Sequence, residues 1–176
     1  MVLASIRKIS GKKKLKNLGA KTVAPVPFGK IKRIGILYYL DDEAGLKQLQ
    51  KIQKHAFLEG KEVQVICWFR TTKKKPHPQA EGIVFVERSD FDTNYLPSSK
   101  KTRLFCEEDF DILLDLTTAY HFPIHALAVM SQAKLKTGME SRVNRHLQLR
   151  IKLPDAKSDN PIYLLDQVVA YLEKLF

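Results

Sequence analysis

Between positions 115 and 121 the chain reads Asp-Leu-Thr-Thr-Ala-Tyr-His, which gathers a carboxylate, two hydroxyls, a phenol and an imidazole within seven residues. An imidazole with an ordinary pKa near neutrality can give or take a proton under physiological conditions. Asp115, Thr117, Thr118, Tyr120 and His121 are therefore candidates for binding a polar ligand. The competing reading is an ordinary loop whose short polar side chains cap the following helix. His121 and His125 are four apart but lack the His-Glu-x-x-His pattern of a zinc-binding helix, and no nucleophile accompanies His121. No metal is expected.

A second acidic group, Asp41-Asp42-Glu43, follows an apolar run at the point where side-chain oxygens can cap a helix. A phosphate-cradling loop would need closely spaced glycines there. The eight glycines of the chain are scattered, and three carboxylates would repel a phosphate, so no nucleotide cofactor is implied. In open α/β sheets, ligands sit beyond the carboxyl ends of the strands, where strand order reverses. If the strands that end at Leu40 and Leu116 are neighbours, Asp41, Asp42, Asp115, Thr117, Thr118, Tyr120 and His121 line one crevice. Acidic residues 107, 108, 109, 111 and 115 look like a catalytic cluster, yet alternation in a strand divides such a run between two faces, and a solvated strand entrance explains them.

Charge is distributed unevenly. Ten of the 30 Lys and Arg residues fall in the first 33 positions, which hold no Asp or Glu, and the remaining 143 residues are nearly neutral. The net +11 thus belongs to a basic N-terminal arm, 1–33, attached to an α/β body, 34–176. Arg7, Lys8, Lys12, Lys13, Lys14 and Lys16 are the candidates for contact with a polyanion, either nucleic acid or an anionic membrane surface. The arm also suits a solubilising extension whose apolar residues dock on the body. Lys73-Lys74-Lys75 reads as a solvated loop. Two cysteines 39 residues apart make neither a disulfide scaffold nor a zinc site. With no apolar run approaching the roughly 20 residues of a membrane span, a cytoplasmic setting is expected.

Periodicity supplies the elements that must position these groups. Residues 34–40 and 63–69 are near-continuous apolar runs, the mark of strands buried on both faces. Between them Leu46, Leu49, Ile52, Ala56 and Phe57 recur at helical spacing until Gly60. Further strands are expected at 83–86, 110–116, about 135–138 and within 147–153, where the alternation predicts one wet face near a sheet edge. Residues 87–103 show no sustained period and read as irregular. Pro123 and Pro161 are placed to open helices, with Ile124, Leu127 and Ala128 facing inward in the first and Ile162, Leu165, Val168, Val169, Leu172 and Leu175 forming a stripe on the second.

The block Phe110-Asp111-Ile112-Leu113-Leu114-Asp115-Leu116, with the later Ala133-Lys134-Leu135-Lys136-Thr137-Gly138-Met139, resembles a family of short uncharacterised bacterial proteins typical of Bacteroidota, a domain of unknown function. The resemblance covers roughly residues 30–176 and implies a bacterial cytosolic setting. The same block is more distantly similar to the N-terminal half of heptosyltransferase-like glycosyltransferases, where the corresponding passage lies beside the acceptor cleft. That likeness implies a Rossmann-like half domain, and 176 residues leave no room for the second domain that binds the nucleotide sugar. The expected fold is a single doubly wound α/β domain, mainly parallel, with about six strands and helices on both faces. The expected function is a non-enzymatic binding or interaction module, and the alternative is an enzyme or enzyme relic acting on a sugar or nucleotide at the strand ends.

Overall fold

The computed structural model describes residues 10–15, 26–40, 43–69 and 80–175. Six strands form one sheet: β1 (Arg33–Leu40), β2 (Glu62–Phe69), β3 (Ile83–Val86), β4 (Ile112–Asp115), β5 (Leu135–Met139) and β6 (Leu149–Ile151). Their order is β3-β2-β1-β4-β5-β6, and every neighbouring pair is parallel. Strand order therefore reverses between β1 and β4, as in the two-halved dinucleotide-binding sheets. The expected α/β sheet is present, and β6, the wet-faced edge strand, is also parallel.

Four helices cover the sheet: α1 (Glu43–Gln53), α2 (Lys100–Glu107), α3 (Phe122–Met130) and α4 (Pro161–Leu175). Alternation along β1 feeds two separate cores. Ile34, Ile36, Tyr38 and Leu40 pack with Leu49 and Ile52 of α1 and Leu165, Val168 and Leu172 of α4. Leu37 faces the other way, with Phe105 of α2 and Ile124, Leu127 and Ala128 of α3. Gly35 lies between Leu113 and the Phe110 ring, where an added Cβ would stand 2.9 Å from both.

Three local features depart from the periodicity. The helical spacing that reaches Phe57 breaks at Gln53, and Ala56–Leu58 form a separate 3-10 turn capped by His55, whose Nδ1 accepts from the Phe57 amide. Residues 87–103 are not wholly irregular, because α2 begins at Lys100 behind Ser99, whose hydroxyl accepts from the Thr102 amide. The expected strand over 147–153 is paired only at Leu149–Ile151, although Leu147 and Leu153 are buried.

The described residues before β1, 10–15 and 26–32, include side chains packed against the body. Residues 10–15 are helical, with Gly11 and Leu15 buried against α3. Leu15 clusters with Phe122 and Ala126. Further along, Phe28 stacks on Phe57 at 5.5 Å, and Ile31 belongs to the α1–α4 core.

Candidate functional site

β1 and β4 lie side by side, yet the chain leaves β1 toward one face of the sheet and β4 toward the other. This opens a crevice at their carboxyl ends. The crevice is divided into two compartments. A groove of about 410 Å³ is bounded by Tyr38 and Tyr39 from β1, by Ala44, Gly45 and Gln48 from α1, by residues 116–119 after β4, and by Asp159 and Pro161 at the start of α4. A smaller cavity of about 70 Å³ is lined by Asp115, Tyr120, His121 and His125, and by Met139, Ser141, Val143 and Asn144 from the end of β5 and its following loop. Thr117 and Ala119 wall both.

The groove carries hydrogen-bonding groups, and among its described lining residues there is no Lys, Arg or His. Tyr38 donates to the Gln48 carboxamide oxygen at 3.3 Å, which orients that amide at the wall. Both flanking helices begin here. At α4, Asn160 accepts from the amides of Ile162 and Tyr163 at 3.1 and 3.0 Å, so the chain itself caps those donors.

The smaller cavity is electrostatically different. Asp115, 3% exposed, accepts from the Thr117 hydroxyl at 2.6 Å and the Thr117 amide at 3.1 Å through the same oxygen. Burial pushes its carboxyl up to about 6, against the lowering effect of those two bonds. His121 is held between Tyr39 and Trp68, with ring centroids 4.7 and 4.6 Å away. His125 meets the His146 ring edge to face at 4.7 Å. Burial lowers His125 to about 4, helped by the Lys12 charge, and lowers His146 to about 3, helped by His125 and Lys136. Lys136, buried behind α3, donates to the Val129 carbonyl at 3.0 Å, and desolvation brings it down to about 8.

The structure thus brings Asp115, Thr117, Tyr120 and His121 together around one cavity and places Thr118 in the adjoining groove. Asp41 and Asp42 lie outside the described residues, as do Arg7, Lys8, Lys16 and the Lys73-Lys74-Lys75 loop. Lys12, Lys13 and Lys14 are exposed on the helical segment 10–15, and the Lys12 ammonium sits 5.6 Å from the centre of the Tyr120 ring. The other acids gather at the opposite end of β4. Glu108 and Asp109 pair with Arg33, while Asp111 accepts from the amides of Lys32 and Arg33 and from Lys134. They brace the strand entrance, far along the strand from Asp115.

Sequence reasoning missed Tyr38, Gln48 and Asp159 in the groove and Ser141, Asn144 and His146 around the cavity, and it weighed His125 only as a metal ligand. Of these, only the pair His125 and His146 carried a signal of its own, as imidazoles in otherwise apolar or basic surroundings. Among the described residues no group of three or more His, Cys, Asp or Glu side chains could hold a metal ion, and no helix is long and apolar enough to cross a membrane.

No curated protein and no solved structure matches this chain. A family model does, over residues 7–175, and so takes in both the segment docked against α3 and all six strands. The chain belongs to that family, a family of unknown function (DUF6913).

Proposed function

We propose that the protein is a small-molecule-binding module whose ligand places an uncharged, polyhydroxylated group, a sugar or the ribose of a nucleoside, in the groove between β1 and β4. The observation that carries this reading is the composition of the groove at the strand-order reversal. It offers an oriented carboxamide at Gln48, hydroxyls at Thr117 and Thr118, a carboxylate at Asp159 and two tyrosine rings, with no cation among the described lining residues. Amides, hydroxyls and carboxylates answer the alternating donors and acceptors of sugar hydroxyls, and aromatic faces suit the apolar side of a ring.

Thermal denaturation of the full chain with free sugars and nucleosides tests the reading. Stabilisation that Gln48→Ala and Thr118→Val remove supports it, and a screen without any shift overturns it. The enzymatic alternative uses the same crevice, with Asp115 and His121 as acid and base. It requires turnover that Asp115→Asn abolishes while binding survives.

A second reading concerns the arm. Lys12, Lys13 and Lys14 stand exposed on a helical segment fixed to the body by Gly11 and Leu15, and project from its solvent side where a polyanion such as RNA can meet them. Binding that weakens steeply with salt and is lost when the three lysines become glutamate supports this role, and unchanged binding in that variant removes it.

A further inference from the structure

We propose that the smaller cavity is the phosphate subsite of the same ligand, so that the protein takes a phosphorylated sugar or a nucleotide in preference to the free sugar or nucleoside. This rests on the groove reading above: Thr117 and Ala119 wall both compartments, so the cavity adjoins the groove.

Two cavity-lining residues carry a buried side-chain atom without a partner among the described residues, His125 Nδ1 and Ser141 Oγ, and both ring nitrogens of His146, whose ring packs on His125, are buried and unpartnered as well. Leaving a polar group buried and unpaired costs about 1–3 kcal/mol, and here the cost falls four times in one place. His125 and Ser141 line the cavity itself, while His146 packs edge-on against His125. A phosphate supplies several acceptor oxygens to a site of this kind, and a protonated imidazole next to it would be charge-assisted. Two lysines reinforce the sign. The Lys12 charge reaches His125, and Lys136, close enough for its charge to act on His146, is held by a backbone carbonyl. Arg142 and Arg145 are exposed on the loop that carries Ser141 and Asn144.

Among the described lining residues, the opposing group is Asp115. Its Oδ1 is engaged twice by Thr117, and burial favours its protonated form. A phosphate monoester, whose second ionisation falls near pH 6, brings a hydroxyl that can donate to a carboxylate or an oxygen that can accept from a carboxylic acid. The site therefore admits the anion with one proton shared between them. A phosphate oxygen beside His125 also offsets the burial that keeps this imidazole neutral, so binding is coupled to proton uptake by the histidines.

Calorimetric titration of the full chain with ribose 5-phosphate, ribose and inorganic phosphate separates the possibilities. Ribose 5-phosphate is expected to bind at least tenfold more tightly than ribose. His125→Gln, which keeps size and polarity, and Ser141→Ala should each erase most of that preference while leaving ribose affinity unchanged. Equal affinities for the two sugars overturn the subsite. So does a preference that survives both substitutions, which would assign the phosphate to surface lysines. Binding of inorganic phosphate that His125→Gln removes, with no response to ribose, keeps the subsite and overturns the groove reading. Histidine ring NMR gives an independent readout: ribose 5-phosphate should raise the His125 titration midpoint, and ribose should not.

Discussion

Asp115 keeps its carboxyl buried while one of its oxygens takes two hydrogen bonds from Thr117 and burial raises its pKa to about 6. Between the ordinary value of 3.8 and about 6 the folded chain holds a proton that the unfolded chain has lost. Its contribution to stability is thus complete below pH 3.8 and disappears as the pH rises through about 6. Asp115→Asn, which retains an acceptor for Thr117, should accordingly stabilise the protein at pH 7.5 by on the order of 1–3 kcal/mol. The gain should vanish near pH 4, and urea midpoints at the two pH values check this. The histidines behave oppositely. His125 and His146 are held neutral, at about 4 and about 3, so their contribution is present above pH 6.5 and is lost as the pH falls toward those values. His146→Gln should flatten the acid limb of the stability profile between pH 6.5 and 4, measured by the same titration.

At the scale of elements, two glycines test how closely the pieces fit. A Cβ on Gly138 would stand 2.6 Å from the Asp115 carbonyl oxygen, and backbone cannot step aside as a flexible side chain can. Gly138→Ala should therefore part β4 from β5 beside the cavity and lower stability by about 1–3 kcal/mol, read from the denaturant midpoint. Gly11→Ala meets the Asn94 carbonyl oxygen at 2.4 Å and should release the helical segment 10–15 from α3. Faster amide hydrogen exchange in that segment, with the sheet unchanged, is the expected signature.

The elements were readable from sequence where burial on both faces enforced an unbroken apolar run, as in β1 and β2, or where proline opened a helix, as in α3 and α4. α2 was hidden because Lys100, Lys101 and Arg103 crowd its exposed face, leaving only Thr102, Phe105 and Cys106 buried as the inward signal. The site was legible only where its residues are contiguous, from Asp115 to His121. Gln48, Asp159, Ser141 and His146 come from three other parts of the chain, and it is the strand order that brings them there.

For the whole molecule, the two cysteines report on the two layers separately. Cys67 lies in the core shared with α1 and α4, and Cys106 in the core beneath α2 and α3. Burial pushes both thiols up to about 12, so neither should react with a thiol reagent in the native state. If the sheet unfolds as one unit, single-cysteine variants should be labelled at the same rate across a urea series. Faster labelling of Cys106 would show that the α2–α3 layer opens alone.

The central position of β1 bears on how the chain acquires its shape. β1, β2 and β3 are made from residues 33–86 and can associate early, while the other edge of β1 waits for Ile112–Asp115. Until β4 arrives, a strand of almost wholly buried side chains exposes a row of unpaired amides and carbonyls, the condition under which partly folded chains stick to one another. Parallel pairing over such sequence separation is also slow. Refolding yield should consequently fall as protein concentration rises, and the vulnerable interval closes at the same step that creates the crevice between β1 and β4.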